Sequence, residues 1–227
     1  MHLNGPILIC GCPGSGTSLV TKMLRYAGMS AGSDAGPLES RKYHESRCFQ
    51  EANNVFLSET IGFPHAPKGH RQFMDHVSRS MAQLDQLARM VDKEELLRKF
   101  WGDDQPTNIW GWKDPRNSAN AIIWRSIFPE MRVLILCRKW RWSLRRQAGG
   151  SEAGEWFRHG SDRKIRKLYV HPTGIDGLDT HCVNFDQLLS SSKTLEQLLG
   201  WVGLPTAPAQ SYASFLNRVG FERCKSG

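Results

Sequence analysis

Near the amino terminus the chain reads Ile7–Leu8–Ile9–Cys10–Gly11–Cys12–Pro13–Gly14–Ser15–Gly16–Thr17–Ser18–Leu19–Val20. This stretch begins as a short apolar run of the β type, passes through a glycine-rich turn and continues into Thr17–Ala27, where apolar residues recur at helical spacing. A strand, a glycine-rich turn and a helix bring backbone N–H groups and a helix N-terminus together around an anion. The sequence therefore predicts an anion-binding loop at this turn.

The spacing of this loop is close to that of the nucleotide-binding P-loop. Two glycines lie five positions apart and a Thr–Ser pair follows, but Thr17 stands where the P-loop has its lysine. Without that lysine, other basic residues must neutralise a bound phosphate. The predicted anion-binding residues are Gly11, Cys12, Pro13, Gly14, Ser15, Gly16, Thr17 and Ser18.

The composition is that of a globular protein with an anionic partner. The chain has 227 residues, of which 40% are hydrophobic, and a formal net charge of +8. The basic residues are concentrated: between Met131 and Ser151 there are six arginines and lysines and no acid. A chain of this length is most simply one domain, 1–227.

The six cysteines do not have the spacing of a metal site. They are scattered along the chain without a His-x3-5-His partner, so we expect no metal and reduced thiols in a cytoplasmic protein. No stretch reaches the roughly 18 apolar residues of a membrane span, and the first residues do not have the pattern of a signal peptide.

Predicted strands and helices alternate along the chain. After the first strand and helix, strands are expected at Ile109–Lys113, Arg132–Cys137 and Thr180–Phe185. Helices are expected at Glu45–Glu59, His70–Val91, Glu94–Trp101, Asn117–Phe128, Trp140–Gln147 and around Leu195–Val202. The apolar run in Arg132–Cys137 is typical of a strand buried on both faces. This alternation predicts an α/β fold with a central, mostly parallel sheet flanked by helices. Ligands of such folds bind beyond the carboxyl ends of the strands.

Five motifs in chain order resemble the sulfotransferase family, in particular its bacterial and tyrosylprotein-type members. They are the loop Gly11–Leu19, the segment Tyr43–His44–Glu45 running into Phe49, Trp110–Gly–Trp–Lys113–Asp–Pro–Arg116, Leu136–Cys–Arg138 followed by Ser143–Leu144, and Cys182–Val–Asn–Phe–Asp186 continuing to Leu204–Pro205. The resemblance implies a three-layer, P-loop-like fold. It leaves 62–108 and 149–179 unmatched.

The resemblance also implies a reaction. The loop would hold the 5′-phosphosulfate of 3′-phosphoadenosine 5′-phosphosulfate (PAPS), and Arg138 and Ser143 would bind its 3′-phosphate. Lys113 would donate to the transferred group, and Glu45 would be the general base on an acceptor hydroxyl or amine, with His44 as the alternative base. Tyr43 and Arg116 are expected to bind the acceptor. No metal is required.

Several structural readings remain open beside these roles. Glu45 would also suit the first turn of its helix, and Arg116 would also suit a structural salt bridge. Two departures from the family stand out: Gly14 replaces the usual Lys or Arg, and the interval from Arg138 to Ser143 is five residues instead of the common eight.

The acceptor class stays open among small molecules, carbohydrates, lipids and peptides. The alternative functions are a P-loop kinase of a small molecule and a non-catalytic nucleotide- or RNA-binding module, whose basic helix would contact phosphates. No specific nucleic acid partner and no membrane span are expected.

Overall fold

The computed structural model describes residues 5–12, 14–38, 44–64, 70–138 and 163–206. The strands in this part of the chain are β1 (Ile7–Gly11), β2 (Gly111–Lys113), β3 (Arg132–Cys137) and β4 (Thr180–Asn184). The helices are α1 (Thr17–Tyr26), α2 (Arg47–Ile61), α3 (His70–Ala82), α4 (Leu84–Arg89), α5 (Lys93–Trp101), α6 (Asn117–Ile127), α7 (Arg163–Val170), α8 (Phe185–Leu188) and α9 (Ser192–Val202).

The strands form one parallel sheet in the order β2-β1-β3-β4. Ile7 of β1 pairs with Gly111 on one side and with Arg132 on the other, and β4 pairs with β3. The carboxyl ends of parallel strands meet at one edge of the sheet, where ligands bind in such folds. This edge carries Gly11, Lys113 and Cys137, so the phosphate loop, the Lys113 motif and Arg138 share it.

Side chains alternate between two apolar cores on opposite faces of the sheet. Leu8 and Cys10 contribute to a core with α2, α5 and α6, and Ile7 and Ile9 contribute to a core with α1, α8 and α9. All four of these residues are fully buried. Burial on both faces explains the uninterrupted apolar runs of β1 and β3. The predicted α/β fold, with helices on both faces of a parallel sheet, is confirmed.

Two predicted elements differ from the structure. The helix predicted over His70–Val91 is broken at Gln83, which leaves helical geometry at φ −121° and ψ 24°. The break lets α3 pack its Phe73 against Tyr169 of α7 while α4 places Leu87 in the aromatic core. The strand predicted over Ile109–Lys113 is shorter, because Trp110 forms only an isolated bridge with Ser30. The predicted basic helix Trp140–Gln147 lies outside the described residues.

No helix among the described residues is long and apolar enough to cross a membrane. The same part of the chain brings together no group of three or more His, Cys, Asp or Glu side chains that would hold a metal ion.

Candidate active site

The predicted anion-binding loop connects β1 to α1. The N–H of Ser15 donates to the carbonyl of Cys12 (2.9 Å), closing a turn, and Gly14 and Gly16 have φ angles of 81° and 96°. Side chains other than glycine are strained in this left-handed region. A Cβ on Gly16 would also overlap the ring of Phe185. The turn therefore requires glycine at position 16 for two reasons. Pro13 lies outside the described residues.

The hydroxyl groups of the loop lie where α1 begins. Thr17 and Ser15 are buried and Ser18 is half-buried. Within the described part of the chain, the Oγ of Ser15 has no hydrogen-bond partner, which is uncommon for a buried polar atom. No side chain caps the N-terminus of α1, and the first N–H groups of a helix have no partner within the helix. Buried donors at a helix N-terminus suit an anionic ligand.

Lys113 and Glu45 form a buried ion pair at the end of β2. The Nζ of Lys113 donates to Oε1 of Glu45, and the amide of Gln50 donates to the other carboxylate oxygen. The side chains are only 5% and 8% exposed. The structure thus brings together two of the residues predicted to be catalytic. Gln50 was not predicted from the sequence, since an exposed-looking glutamine early in a helix carries no distinctive signal.

Aromatic packing holds the two halves of this ion pair together. Trp112 precedes Lys113 on β2, and its ring stacks on that of Phe49 in the first turn of α2, with ring centroids 4.0 Å apart. Trp124 and Phe128 pack around the same pair of rings. The beginning of α2, which directly follows Glu45, is therefore fixed against the strand that carries Lys113.

His44 points to a different partner from its neighbour Glu45. Its Nδ1 lies 2.8 Å from Nη1 of Arg25. The same Nη1 donates to the carbonyl of Gly36, and Nη2 of Arg25 donates to the carbonyl of Ala35. A guanidinium only donates hydrogen bonds, so Nδ1 of His44 accepts. This geometry supports Glu45 over His44 as the general base, although the assignment stays a prediction.

Arg116 and Asp114 form a bidentate pair just beyond β2. Nε and Nη2 of Arg116 lie 2.7 and 2.5 Å from the two oxygens of Asp114, and the N–H of Arg116 donates to the same carboxylate. Its Nη1 donates to Asn54 and to the carbonyl of Pro64. These contacts favour the structural salt bridge that the sequence left open. Acceptor binding by Arg116 stays a prediction.

A buried polar network fixes helix α6 to the ends of β1 and β2. The amide of Asn117 donates to the carbonyls of Ile9 and Trp112 at 3.1 and 3.3 Å, and its oxygen accepts from Asn53. The oxygen of Asn53 in turn accepts from Asn120 and from the indole of Trp124. Asn117 bonds to a carbonyl of β1 and to a carbonyl of β2. The network therefore fixes the positions of the phosphate loop and Lys113, which follow or end these strands, relative to each other.

Arg138 lies at the end of β3 against the first residues of α8. Its Nε donates to Asp186 (3.2 Å), and its guanidinium carbon is 4.8 Å from the centre of the Phe185 ring. The same ring packs against Gly16 of the phosphate loop. Phe185 therefore connects the loop to the predicted 3′-phosphate residue. Asp186 and Phe185 belong to a motif recognised in the sequence, but their contact with Arg138 was not predicted.

The five described cysteines form no disulfide with one another. Burial raises the pKa of Cys10 to about 12, as expected for a cysteine acting as a small apolar residue. On the edge strand β4, a hydrogen bond from the thiol of Cys137 lowers the pKa of Cys182 to about 7.

Several predicted site residues lie outside the described residues. These are Pro13, Tyr43 and Ser143, together with the basic residues of 139–146. Their roles stay predictions.

The sulfotransferase family profile matches residues 6–208. Because the match spans most of the chain, the chain belongs to the sulfotransferase family, as the five motifs indicated, and it is a sulfotransferase.

Among solved structures, the chain is similar to the sulfotransferase STF1 from Mycobacterium tuberculosis H37Rv. The two are 12% identical, with 96% of this chain and 72% of that chain covered and a TM-score of 0.49. It is also similar to the sulfotransferase STF9 from Mycobacterium avium, with 14% identity, 97% and 69% coverage and a TM-score of 0.47. No curated protein matches the chain.

Proposed function

We propose that this sulfotransferase uses PAPS as donor and transfers its sulfuryl group in line to an acceptor hydroxyl or amine, with a carboxylate as base. The observation that carries the proposal is the buried Lys113–Glu45 pair, which lies at the same edge of the sheet as the phosphate loop. A cation and a proton acceptor side by side are the two groups that such a transfer needs.

The residues of the loop fit an anionic donor. Gly14 and Gly16 take left-handed backbone angles in the turn before α1, and Ser15 has a buried hydroxyl without a partner among the described residues. Ser18, Thr17 and Cys12 complete the expected contacts with the 5′-phosphosulfate. Arg138 would bind the 3′-phosphate. Its Nε donates to Asp186, which orients the side chain, and a planar guanidinium group can donate two parallel hydrogen bonds to a phosphate. Ser143 is expected to assist there.

The Lys113–Glu45 pair would exchange partners when both substrates are bound. Lys113 would donate to the oxygen that bridges phosphorus and sulfur, and Glu45, released from the lysine, would accept the proton of the acceptor. The acceptor oxygen or nitrogen then bonds to sulfur as the bond from sulfur to the bridging oxygen breaks. The products are the sulfated acceptor and adenosine 3′,5′-bisphosphate, and the proton resides on Glu45.

The kinase alternative receives less support. A kinase needs a carboxylate for magnesium at the phosphate edge, and Asp114 is the residue nearest in sequence to that role. Both of its oxygens are held by Arg116. The nucleic-acid-binding alternative depends on the basic helix of 140–147, outside the described residues.

The acceptor and the cellular location stay predictions. Tyr43 and Arg116 are expected to contact the acceptor, which is a small molecule, carbohydrate, lipid or peptide. A cytoplasmic location, where thiols stay reduced, is proposed from the scattered cysteines of the sequence.

The decisive experiment has two parts. Adenosine 3′,5′-bisphosphate should raise the melting temperature in the absence of magnesium, and ATP should raise it less. PAPS incubated with pooled sugars, lipids, phenols and peptides should then give a sulfated product by mass spectrometry. Nucleotide binding that requires magnesium, with phosphate transfer from ATP, would overturn the proposal.

A further inference from the structure

Lys22 of α1 is a largely buried residue with no anionic partner among the described residues. Its exposed fraction is 6%, and its Nζ makes no hydrogen bond or ion pair to the described part of the chain. The Nζ atom is not one of the fully buried polar atoms without a partner, so the ammonium group can be reached from outside the chain. The centre of the Tyr26 ring is 5.8 Å from Nζ, near the outer limit of a cation–π interaction. An accessible ammonium group without an acceptor in the described chain suits an anion that binds from outside.

The other buried or half-buried cations around the candidate active site already have acceptors. Lys113 has Glu45, Arg116 has Asp114, Arg138 has Asp186, and Arg25 has the carbonyls of residues 35 and 36. Among the cations that the structure describes here, Lys22 differs from these four in having no oxygen acceptor.

Lys22 lies one helical turn beyond the start of α1. It follows Ser18 of the phosphate loop by four residues, so the two side chains are neighbours on one face of α1. Each Cα–Cβ bond of a helix tilts toward its N-terminus, so the side chain of Lys22 leaves the helix in the direction of the first turn. The loop at that turn contains the buried hydroxyl of Ser15, which has no partner among the described residues and is an independent observation that suits an anionic ligand there.

We propose that Lys22 is the cation that neutralises the 5′ anionic group of the donor at the N-terminus of α1. It would replace both the P-loop lysine, where the chain has Thr17, and the basic residue usual for the family, where it has Gly14. The inference rests on the proposed function and adds one positively charged residue to the donor site.

A comparison of two nucleotides distinguishes a contact of Lys22 with the 5′ group from a general effect of the variant on nucleotide binding. Isothermal titration calorimetry on the full chain would compare adenosine 3′,5′-bisphosphate with adenosine 3′-phosphate, which lacks the 5′ group. Lys22→Met keeps the length of the side chain and removes its charge. It should weaken binding of the bisphosphate by about 10- to 100-fold and change binding of the monophosphate by less than about threefold. Lys22→Arg should stay within about tenfold of the wild type.

The matched control is Lys193→Met, which makes the same change in net charge at an exposed position of α9. It should leave both affinities unchanged. Melts followed by circular dichroism should show Lys22→Met as stable as the wild type, because the substitution removes no hydrogen bond or ion pair to the described residues. If that variant does not fold, Lys22→Gln serves as a second neutral replacement.

The outcomes distinguish the inference from the function on which it rests. Equal affinity of the wild type and Lys22→Met for the bisphosphate would overturn the role of Lys22 and leave the proposed function in place. Equal weakening of both nucleotides would also overturn it. Failure of the wild type to bind the bisphosphate would overturn the proposed function and this inference together.

Discussion

Lys113 donates to Glu45 in an ion pair whose two side chains are almost completely buried, although the residues are 68 positions apart in sequence. The charges compensate each other before any substrate is present. In the free enzyme each residue stabilises the charge of the other. In the proposed reaction Lys113 acts on the donor and Glu45 acts on the acceptor. Variants of the pair should therefore change both stability and rate.

Glu45→Gln should separate nucleotide binding from turnover. The glutamine keeps the size of the side chain and its hydrogen bonding but cannot accept a proton as a base. We expect the affinity for adenosine 3′,5′-bisphosphate to be retained and single-turnover rates to fall by about 10²- to 10⁴-fold. His44→Gln is the comparison, since His44 contacts Arg25 instead of Lys113. A near-normal rate for Glu45→Gln combined with a large loss for His44→Gln would assign the base to His44.

Lys113→Met should destabilise the protein as well as inactivate it. It leaves a buried carboxylate without its cation, a change that typically costs about 3–5 kcal/mol. Urea denaturation at neutral pH measures this loss. The double variant Lys113→Met with Glu45→Gln removes both charges and should recover at least half of the lost unfolding free energy. If the effects of the two single variants are instead additive in the double variant, the ion pair does not stabilise the fold.

Arg138→Ala should weaken binding of adenosine 3′,5′-bisphosphate by about 1.5–3 kcal/mol, the usual contribution of a charged hydrogen bond. Binding of adenosine 5′-phosphate, which has no 3′-phosphate, should change little. Calorimetry without magnesium measures both. Equal affinity of the wild type for the bisphosphate and ATP would count against recognition of a 3′-phosphate and favour the kinase alternative.

The sequence predicted the strands and the site motifs because those signals are local. The apolar run before Gly11 and the run in Arg132–Cys137 each indicate a buried strand without reference to the rest of the chain. In a parallel sheet their carboxyl ends share one edge, and the loop and Arg138 were therefore expected together. The φ of 81° at Gly14 also agrees with the glycine found there.

The partners of these motifs were not predictable in the same way. Asp186 is 48 positions from Arg138, and Glu45 is 68 positions from Lys113, so no spacing rule links the members of either pair. The break in the predicted helix over 70–91 arises because its two parts pack against different cores, a tertiary effect that periodicity does not report. In the sequence, Lys22 and Arg25 both follow the loop on the predicted helix and are both possible sources of its missing charge; only the structure shows that Arg25 has acceptors in the chain.

His76 should make the stability depend on pH. It is fully buried, with Nε2 2.7 Å from Asn120 and Nδ1 2.5 Å from Thr60, and burial lowers its pKa to about 4 from the ordinary 6.5. Between these values the unfolded chain binds more protons than the folded one. The contribution to stability is therefore complete above pH 6.5 and decreases as the pH falls toward 4.

Urea unfolding at several pH values tests this. Between pH 7.5 and pH 5 the free energy of unfolding should fall by about 2 kcal/mol because of His76. The variant His76→Gln retains hydrogen-bonding capacity and should lose this part of the pH dependence. Subtracting its profile removes the contributions of the other histidines, and identical slopes for the two proteins would show that His76 is not the titrating group.

Gly14→Lys restores the basic residue that the family usually has in the phosphate loop, and its effect depends on whether another cation already acts there. With Lys22 and Lys113 in place, we expect turnover to change by less than about tenfold. In the Lys22→Met background the same change should recover activity, since the charge returns to the loop from another position. Gly14→Ala is the matched control, because Gly14 has a left-handed φ and any side chain there costs about 1 kcal/mol.

Single-turnover rates with PAPS, corrected for the fraction of folded protein by circular dichroism, measure Gly14→Lys, the same change in the Lys22→Met background, and Gly14→Ala. A rise of several orders of magnitude for Gly14→Lys alone would mean that the natural loop lacks the charge that catalysis needs, and that the protein binds the nucleotide far better than it transfers sulfate.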